Sequence, residues 1–305
     1  MRVLVADDSL FYRKSLERLL KLWNYEVVLA SDGNQAWNIL KQEGAPSLAV
    51  LDYIMPGMTG PEICNAVRDN KEGPYVYVIL LSAKGEHEDL LEGFERGADD
   101  YLRKPFHELE LRARLRVGER IIRAQRELLE MRERLQFQAS HDSMTHLWNN
   151  AAIAEILAKE MKRAKRQNST LSVCLTDLDY FKRVNDTYGH LIGDEVLRVS
   201  ASRMLEAVRQ YDSLGRYGGE EFLAVLPGCS AIDALGTAQR MREALCSRPV
   251  LTEPMSITVT GSFGVSEWSE ELSVKDLLSR ADLALYAAKA AGRNRVQLYD
   301  STCVA

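Results

Sequence analysis

Long apolar runs are missing from this chain of 305 residues. The longest, around Val76 to Leu81, is far short of the roughly 20 residues that a membrane helix needs. A signal peptide is not expected either, because Asp7 and Asp8 interrupt the apolar N-terminus. Cysteine is sparse: Cys64, Cys174, Cys229, Cys246 and Cys303 are scattered, odd in number and without a CxxC pair. That excludes a disulfide framework and fits small buried hydrophobes in a reducing, cytoplasmic setting. Eight prolines and 19 glycines leave no room for collagen-like or low-complexity architecture. Positive charge is not in excess, since the net charge is −5. The chain as a whole is therefore not a basic nucleic-acid binder, and no membrane or nucleic-acid partner is expected. What is present is a globular composition, 46% apolar and 27% charged, long enough for two domains at about 150 residues each.

The first 105 or so residues alternate short β-rich runs with helical patterns. Strands are predicted at Arg2 to Ala6, Glu26 to Ala30, Leu48 to Leu51, Val76 to Leu81 and Ala98 to Leu102. Helices are predicted at Leu10 to Trp23, Asn34 to Glu43, Pro61 to Asn70 and Glu86 to Glu95. Repeated alternation predicts a doubly wound five-stranded parallel sheet with its ligands at the carboxyl ends of the strands. From His107 to Ala139 the pattern changes to a helix with eight Arg and six Glu between Glu108 and Arg134. Its apolar positions Val117, Ile121, Ala124, Leu128, Met131 and Leu135, then Gln138, step by four and three. This is a heptad seam, and it predicts a helical coiled-coil stalk over 107–139.

After His141 a second domain follows. Helices are expected at Ala151 to Arg166, Gly193 to Ala207, Ala234 to Leu245 and Val274 to Ala291. Strands are expected at Leu171 to Leu178, Phe222 to Leu226, Ile257 to Val265 and Arg295 to Tyr299. A hairpin across Arg216-Tyr217-Gly218-Gly219-Glu220-Glu221 makes this an α+β domain with a mixed or antiparallel sheet.

Three carboxylates sit where strands of the first domain end: Asp7 and Asp8 after the first, Asp52 after the third. Together they repel one another and call for a hard divalent cation. Ser82 ends the fourth strand, and Lys104-Pro105, a candidate cis peptide, follows the fifth. Asp7-Asp8, Asp52-Tyr53-Ile54-Met55-Pro56-Gly57, Ser82-Ala83 and Lys104-Pro105 resemble the receiver domain of bacterial two-component response regulators, over residues 1–120. The resemblance implies that Asp52 accepts a phosphoryl group from a histidine kinase or phosphotransfer protein. It implies Mg²⁺ on Asp8, Asp52 and the Ile54 carbonyl, with Asp7 acting through water. Lys104 would contact the phosphoryl group, and Ser82 and Tyr101 would couple phosphorylation to the far face of the sheet.

In the second domain, Gly218-Gly219-Glu220-Glu221-Phe222 offers two glycines for a tight turn with positive φ and two acids at its tip. Asp177 ends a strand, with Lys182 and Asn185 just beyond. Asp177 and Glu220 are placed to hold one or two Mg²⁺, as acids on adjacent strands do in phosphoryl transfer. These segments, with Asp142…Thr145…Leu147…Asn149, Gly189-His190…Gly193-Asp194 and Lys289…Gly292-Arg293-Asn294, resemble the GGDEF family of diguanylate cyclases in its GGEEF form, over 140–305. The resemblance implies condensation of two GTP into cyclic di-GMP with release of pyrophosphate, by a homodimer or higher oligomer whose sites face each other. It implies Mg²⁺ on Asp177, Glu220 and the Leu178 carbonyl, with Glu221 a further metal ligand or an aid in deprotonating the 3′-hydroxyl. Asn185 and Asp194 would read the guanine edge, and Lys182, Lys289 and Arg293 would supply charge for the phosphates. Arg209-Gln210-Tyr211-Asp212 is similar to the family's RxxD inhibitory site for product, with Arg240 or Arg242 as a secondary contact. The chain departs from the family at His146, near where glycine is usual, and at Asn150, where arginine is usual. Two further readings are a non-catalytic effector that binds cyclic di-GMP at Arg209 and Asp212, and a DNA-binding regulator. The intact GGEEF and guanine set speaks against the first. The second requires a basic helix-turn-helix, which the chain lacks.

Overall fold

Three strands of the N-terminal part read as unbroken apolar runs, and in the computed structural model each lies inside a sheet covered on both faces. The structure describes residues 1–70, 73–83, 94–252 and 255–300. Two compact units divide it, Met1–Glu133 and Arg134–Ala305.

The first unit contains β1 (Arg2–Ala6), α1 (Leu10–Leu22), β2 (Glu26–Ala30), α2 (Gly33–Leu40), β3 (Leu48–Asp52), α3 (Gly60–Asp69), β4 (Tyr77–Ser82) and β5 (Asp100–Arg103). It ends within α4 (Glu108–Ser140). The strands are all parallel in the order β2-β1-β3-β4-β5, the doubly wound sheet expected. One face packs on α2 and α3 through Ala36, Leu40, Ile63 and Cys64. The other packs on α1 and α4 through Leu16, Leu20, Leu111, Leu115 and Ile122. Helix α2 ends at Leu40 rather than at Glu43, because the chain turns there and leaves through Gly44 at φ +73°. The helix expected at Glu86 to Glu95 falls almost wholly outside the described residues.

The second unit carries α5 (Asn150–Gln167), β6 (Leu171–Leu178), α6 (Phe181–Tyr188), α7 (His190–Ala207), β7 (Ser213–Arg216), β8 (Glu221–Pro227), α8 (Ala231–Cys246), β9 (Val250–Thr252), β10 (Met255–Ile257), β11 (Gly261–Glu267), α9 (Val274–Ala290) and β12 (Val296–Leu298). Its main sheet runs β12-β11-β6-β8-β7. Only β11 and β12 pair in parallel, so the sheet is mixed. The single strand expected over Ile257 to Val265 is two: β10 pairs with β9 in a separate ribbon, and β11 enters the main sheet. The break falls at Thr260, whose carbonyl accepts from the Asp179 amide. Helix α6 lies in a polar stretch for which no element was expected. Gly189, at φ +83°, separates it from α7.

Candidate active site

Parallel pairing of β1 with β3 and of β3 with β4 sets the carboxyl ends of three strands side by side. Asp7, Asp8 and Asp52 meet there, with one carboxylate oxygen of each within 4.8 Å of the others. Asp7 is fully buried and Asp8 is exposed. Lys104 reaches in from the end of β5, with Nζ 2.7 Å from Asp7 Oδ2 and 2.9 Å from Asp52 Oδ1. The Lys104-Pro105 peptide is cis, and the Lys104 amide donates to the Ser82 carbonyl at 2.8 Å. Burial, with Asp7 adding to it, raises the Asp52 carboxyl above its usual range against the pull of Lys104. Burial works against the charged Lys104 ammonium, yet its bonds to Asp7 and Asp52 outweigh that and raise it. A cleft of about 280 Å³ opens above, lined by Asp8, Asp52, Ile54, Ser82 and Lys104 among others. All-oxygen donors in a compact triad suit a small hard cation. Tyr101 points inward, buried against the core on the α2–α3 side. Two residues that no motif marks also border the site: the Tyr12 ring lies 4.3 Å from Lys104 Nζ, and Arg13 donates to the Asp7 carbonyl.

In the second unit, antiparallel pairing of β6 with β8 sets Asp177 opposite Glu221. The Leu178 amide donates to the Glu220 carbonyl at 3.2 Å, so the strand end and the hairpin tip are tied together. Burial, then the nearby Asp177 charge, raises the Glu221 carboxyl above its ordinary range. Lys289, expected at the phosphates, is paired with Asp177 at 2.7 Å. It therefore offsets the charge of a carboxylate expected on metal. The glycine pair differs from expectation, because neither Gly218 nor Gly219 has the positive φ that a tight turn was thought to need. What Gly218 leaves room for is the Glu221 carboxylate: a Cβ there would lie 2.7 Å from Glu221 Oε2 and displace it. Asn185 on α6 lies against Gly193 on α7, one residue before Asp194, and a Cβ on Gly193 would meet Asn185 Oδ1 at 1.9 Å. Lys182 is exposed on the first turn of α6. Arg293 lies over the Tyr180 ring.

Asp212 is buried, and its Oδ2 accepts from the Arg209 amide at 2.9 Å, while the Asp212 amide donates back to the Arg209 carbonyl. Its other oxygen is buried and unpaired. Burial raises its pKa, opposed by Arg209 and Arg240. Arg240 itself donates to Thr237 Oγ1 at 3.0 Å.

The departures at His146 and Asn150 are also resolved. His146 sits at φ +58°, a backbone that explains why glycine is usual there. The Asn150 amide donates to the Tyr217 carbonyl. Asp142 accepts from the Thr145 amide and hydroxyl at 2.9 and 2.8 Å and pairs with Arg216 at 3.2 Å. Arg216 also donates to the Gly219 carbonyl at 2.8 and 3.0 Å. This arginine, passed over in the sequence, bridges the opening motif and the glycine turn. Its position just before Gly218-Gly219 was the available signal.

Residues 139–295 match the family model described as diguanylate cyclase, GGDEF domain, and residues 3–116 match that of the response regulator receiver domain. Response regulator PleD of Caulobacter vibrioides is 32% identical over 301 residues, which cover 97% of this chain and 65% of PleD. The chain thus spans slightly less than two thirds of the length of that curated relative. Diguanylate cyclase A of Treponema denticola is 39% identical over 161 residues, covering 52% of this chain and 43% of the relative. The solved coiled coil and GGDEF domain of DgcB from Caulobacter crescentus, in complex with c-di-GMP, superposes with a TM-score of 0.56 at 32% identity. It covers 62% of this chain and 98% of DgcB's solved chain.

Proposed function

The chain belongs to the diguanylate cyclase GGDEF family and carries a receiver domain ahead of the cyclase module, and from this we propose that it is a cytoplasmic, phosphorylation-controlled diguanylate cyclase. Two GTP molecules condense into cyclic di-GMP, each 3′-hydroxyl attacking the other's α-phosphorus and expelling pyrophosphate. The pairing of Asp177 with Glu221 across β6 and β8, beside Lys289, carries this reading.

Asp177, Glu220 and the Leu178 carbonyl would hold Mg²⁺ at the cyclase. When bound, the ion supplies charge stabilisation at the transferring phosphoryl oxygens. Glu221, opposite Asp177 in the sheet, either takes the proton of the 3′-hydroxyl or joins the metal ligands. Asp194 accepts from guanine N1–H and the 2-amine, which adenine does not present together, and Asn185 completes that edge. Lys182, Lys289 and Arg293 balance the phosphates.

In the receiver, Asp7, Asp8, Asp52 and the Ile54 carbonyl would hold a second Mg²⁺. Asp52 accepts the phosphoryl group of a histidine kinase or phosphotransfer protein. Lys104 moves from Asp52 to the incoming oxygens, and Ser82 and Tyr101 carry the change onward. Leu128, Met131 and Leu135 on α4 are exposed at heptad spacing, which supports a homodimer along that seam. Such a dimer, or a higher oligomer, would bring two cyclase sites face to face. Product binds at Arg209, Asp212 and Arg240 and restrains the enzyme.

The test is incubation with GTP and Mg²⁺, with pyrophosphate and cyclic di-GMP as readouts. Glu220→Ala should abolish both products with the fold intact, and a variant that still makes cyclic di-GMP overturns the catalytic assignment. Beryllofluoride should raise activity and association, and Asp52→Asn should remove that rise while sparing basal turnover.

A further inference from the structure

Arg293 stands on strained backbone. It is at φ +61°, with Asn294 beside it at φ +46° and Gly292 before it at φ +113°. A long cation on such a turn has many rotamers open to it, and ordering it for a ligand costs entropy. Here the guanidinium is already placed. Its carbon lies 4.5 Å from the centroid of the Tyr180 ring, and Nη1 donates to the Tyr180 hydroxyl at 3.3 Å. Tyr180 itself is at φ +57° and half exposed, and Arg183 approaches the same ring at 5.6 Å. Two left-handed segments 113 residues apart in the chain therefore meet at one phenol.

Asp179 holds them there. Its buried carboxylate accepts from the Asn294 amide at 3.0 Å, from Thr260 Oγ1 at 2.8 Å and from Ser262 Oγ at 2.7 Å. With its oxygens committed to the fold, Asp179 is a brace rather than a ligand, unlike Asp177 two residues earlier. The brace fixes the main chain on both sides of the pair, and the ring then fixes the guanidinium by cation–π attraction and a hydrogen bond.

We propose that Tyr180 is a positioning residue that presents Arg293 to the nucleotide's phosphates, with Asp179 bracing the two segments. This rests on the reading of Arg293 as a phosphate ligand. The experiment measures binding of guanosine α,β-methylene triphosphate with Mg²⁺ to the full chain by titration calorimetry, alongside melting temperatures. Tyr180→Leu and Tyr180→Ser should weaken binding about threefold to tenfold with little change in melting. Tyr180→Phe keeps the ring and should stay within about threefold of the parent. In an Arg293→Ala background, Tyr180→Leu should cost nothing more, because the group it positions is gone. Unchanged affinity in both Tyr180→Leu and Tyr180→Ser, or losses that multiply with Arg293→Ala, would overturn the inference. A parent chain that binds no analogue instead overturns the nucleotide reading itself, so the two failures are distinct.

Discussion

Asp142 shows how one carboxylate serves both fold and site. Burial pushes its pKa up, yet the Thr145 amide and hydroxyl and the Arg216 guanidinium prevail and hold it below the usual range. A depressed carboxyl stabilises the native state above its unfolded pKa of about 4 and ceases to do so as pH falls through the folded value. Asp142→Asn should therefore lower stability by about 1–2 kcal/mol at neutral pH, with the gap closing below about pH 4. Urea unfolding of both proteins across that range measures it, and a gap that persists at acid pH contradicts the assignment. Gly218 makes a second residue-scale case. Gly218→Ala places a Cβ 2.7 Å from Glu221 Oε2, so that carboxylate must swing away. Cyclic di-GMP synthesis should fall at least about tenfold, or about 1.4 kcal/mol in the barrier, while the melting temperature barely moves.

At the scale of the element, α4 carries two apolar stripes with different fates. Leu111, Leu115, Gly118 and Ile122 are buried, and Gly118 has no room for a side chain because a Cβ would lie 2.6 Å from the Tyr77 ring. Beyond Ile122 the helix is exposed, with Leu128, Leu129, Met131 and Leu135 each more than half accessible. Leu115→Ala should destabilise the first unit by about 2–5 kcal/mol, read as a lower denaturant midpoint. Leu128→Glu should change stability by less than about 0.5 kcal/mol yet shift sedimentation equilibrium toward the monomer. A Leu128→Glu chain that associates like the parent would count against the seam. The heptad stepping was legible from Val117 onward, but the stripe at Leu111, Leu115 and Ile122 was not singled out. That stripe is defined by what lies opposite it, Leu16, Leu20 and Tyr77, and a one-dimensional pattern does not contain its partner.

For the whole molecule, two units with separate cores predict two thermal transitions rather than one. A ligand that binds only the native state raises the transition of the unit that holds it. Mg²⁺ should raise the transition of the receiver, and Asp52→Asn should remove that rise. Adding the GTP analogue should raise the other transition, and Asn185→Ala should remove that one. Scanning calorimetry of the full chain separates these responses, and a single transition moved equally by both ligands contradicts the assignment of two independent sites.

The strand–helix alternation of the first unit, its doubly wound parallel sheet and the gathering of its acidic residues were legible because they depend on local periodicity and on short motifs. Asp7 and Asp8 follow β1, Asp52 closes β3 and Lys104 follows β5, and a parallel sheet gathers such strand ends on one side. The sequence by itself also determined the hairpin that carries Glu220 and Glu221, through its Gly-Gly turn. Tertiary structure alone decided which groups touch. It made Gly218 a matter of space rather than of φ, set Lys289 on Asp177, committed Asp179 to the fold, and ran Arg216 from Asp142 to Gly219. These outcomes hang on distances between segments far apart in the chain, where one ångström separates a hydrogen bond from none.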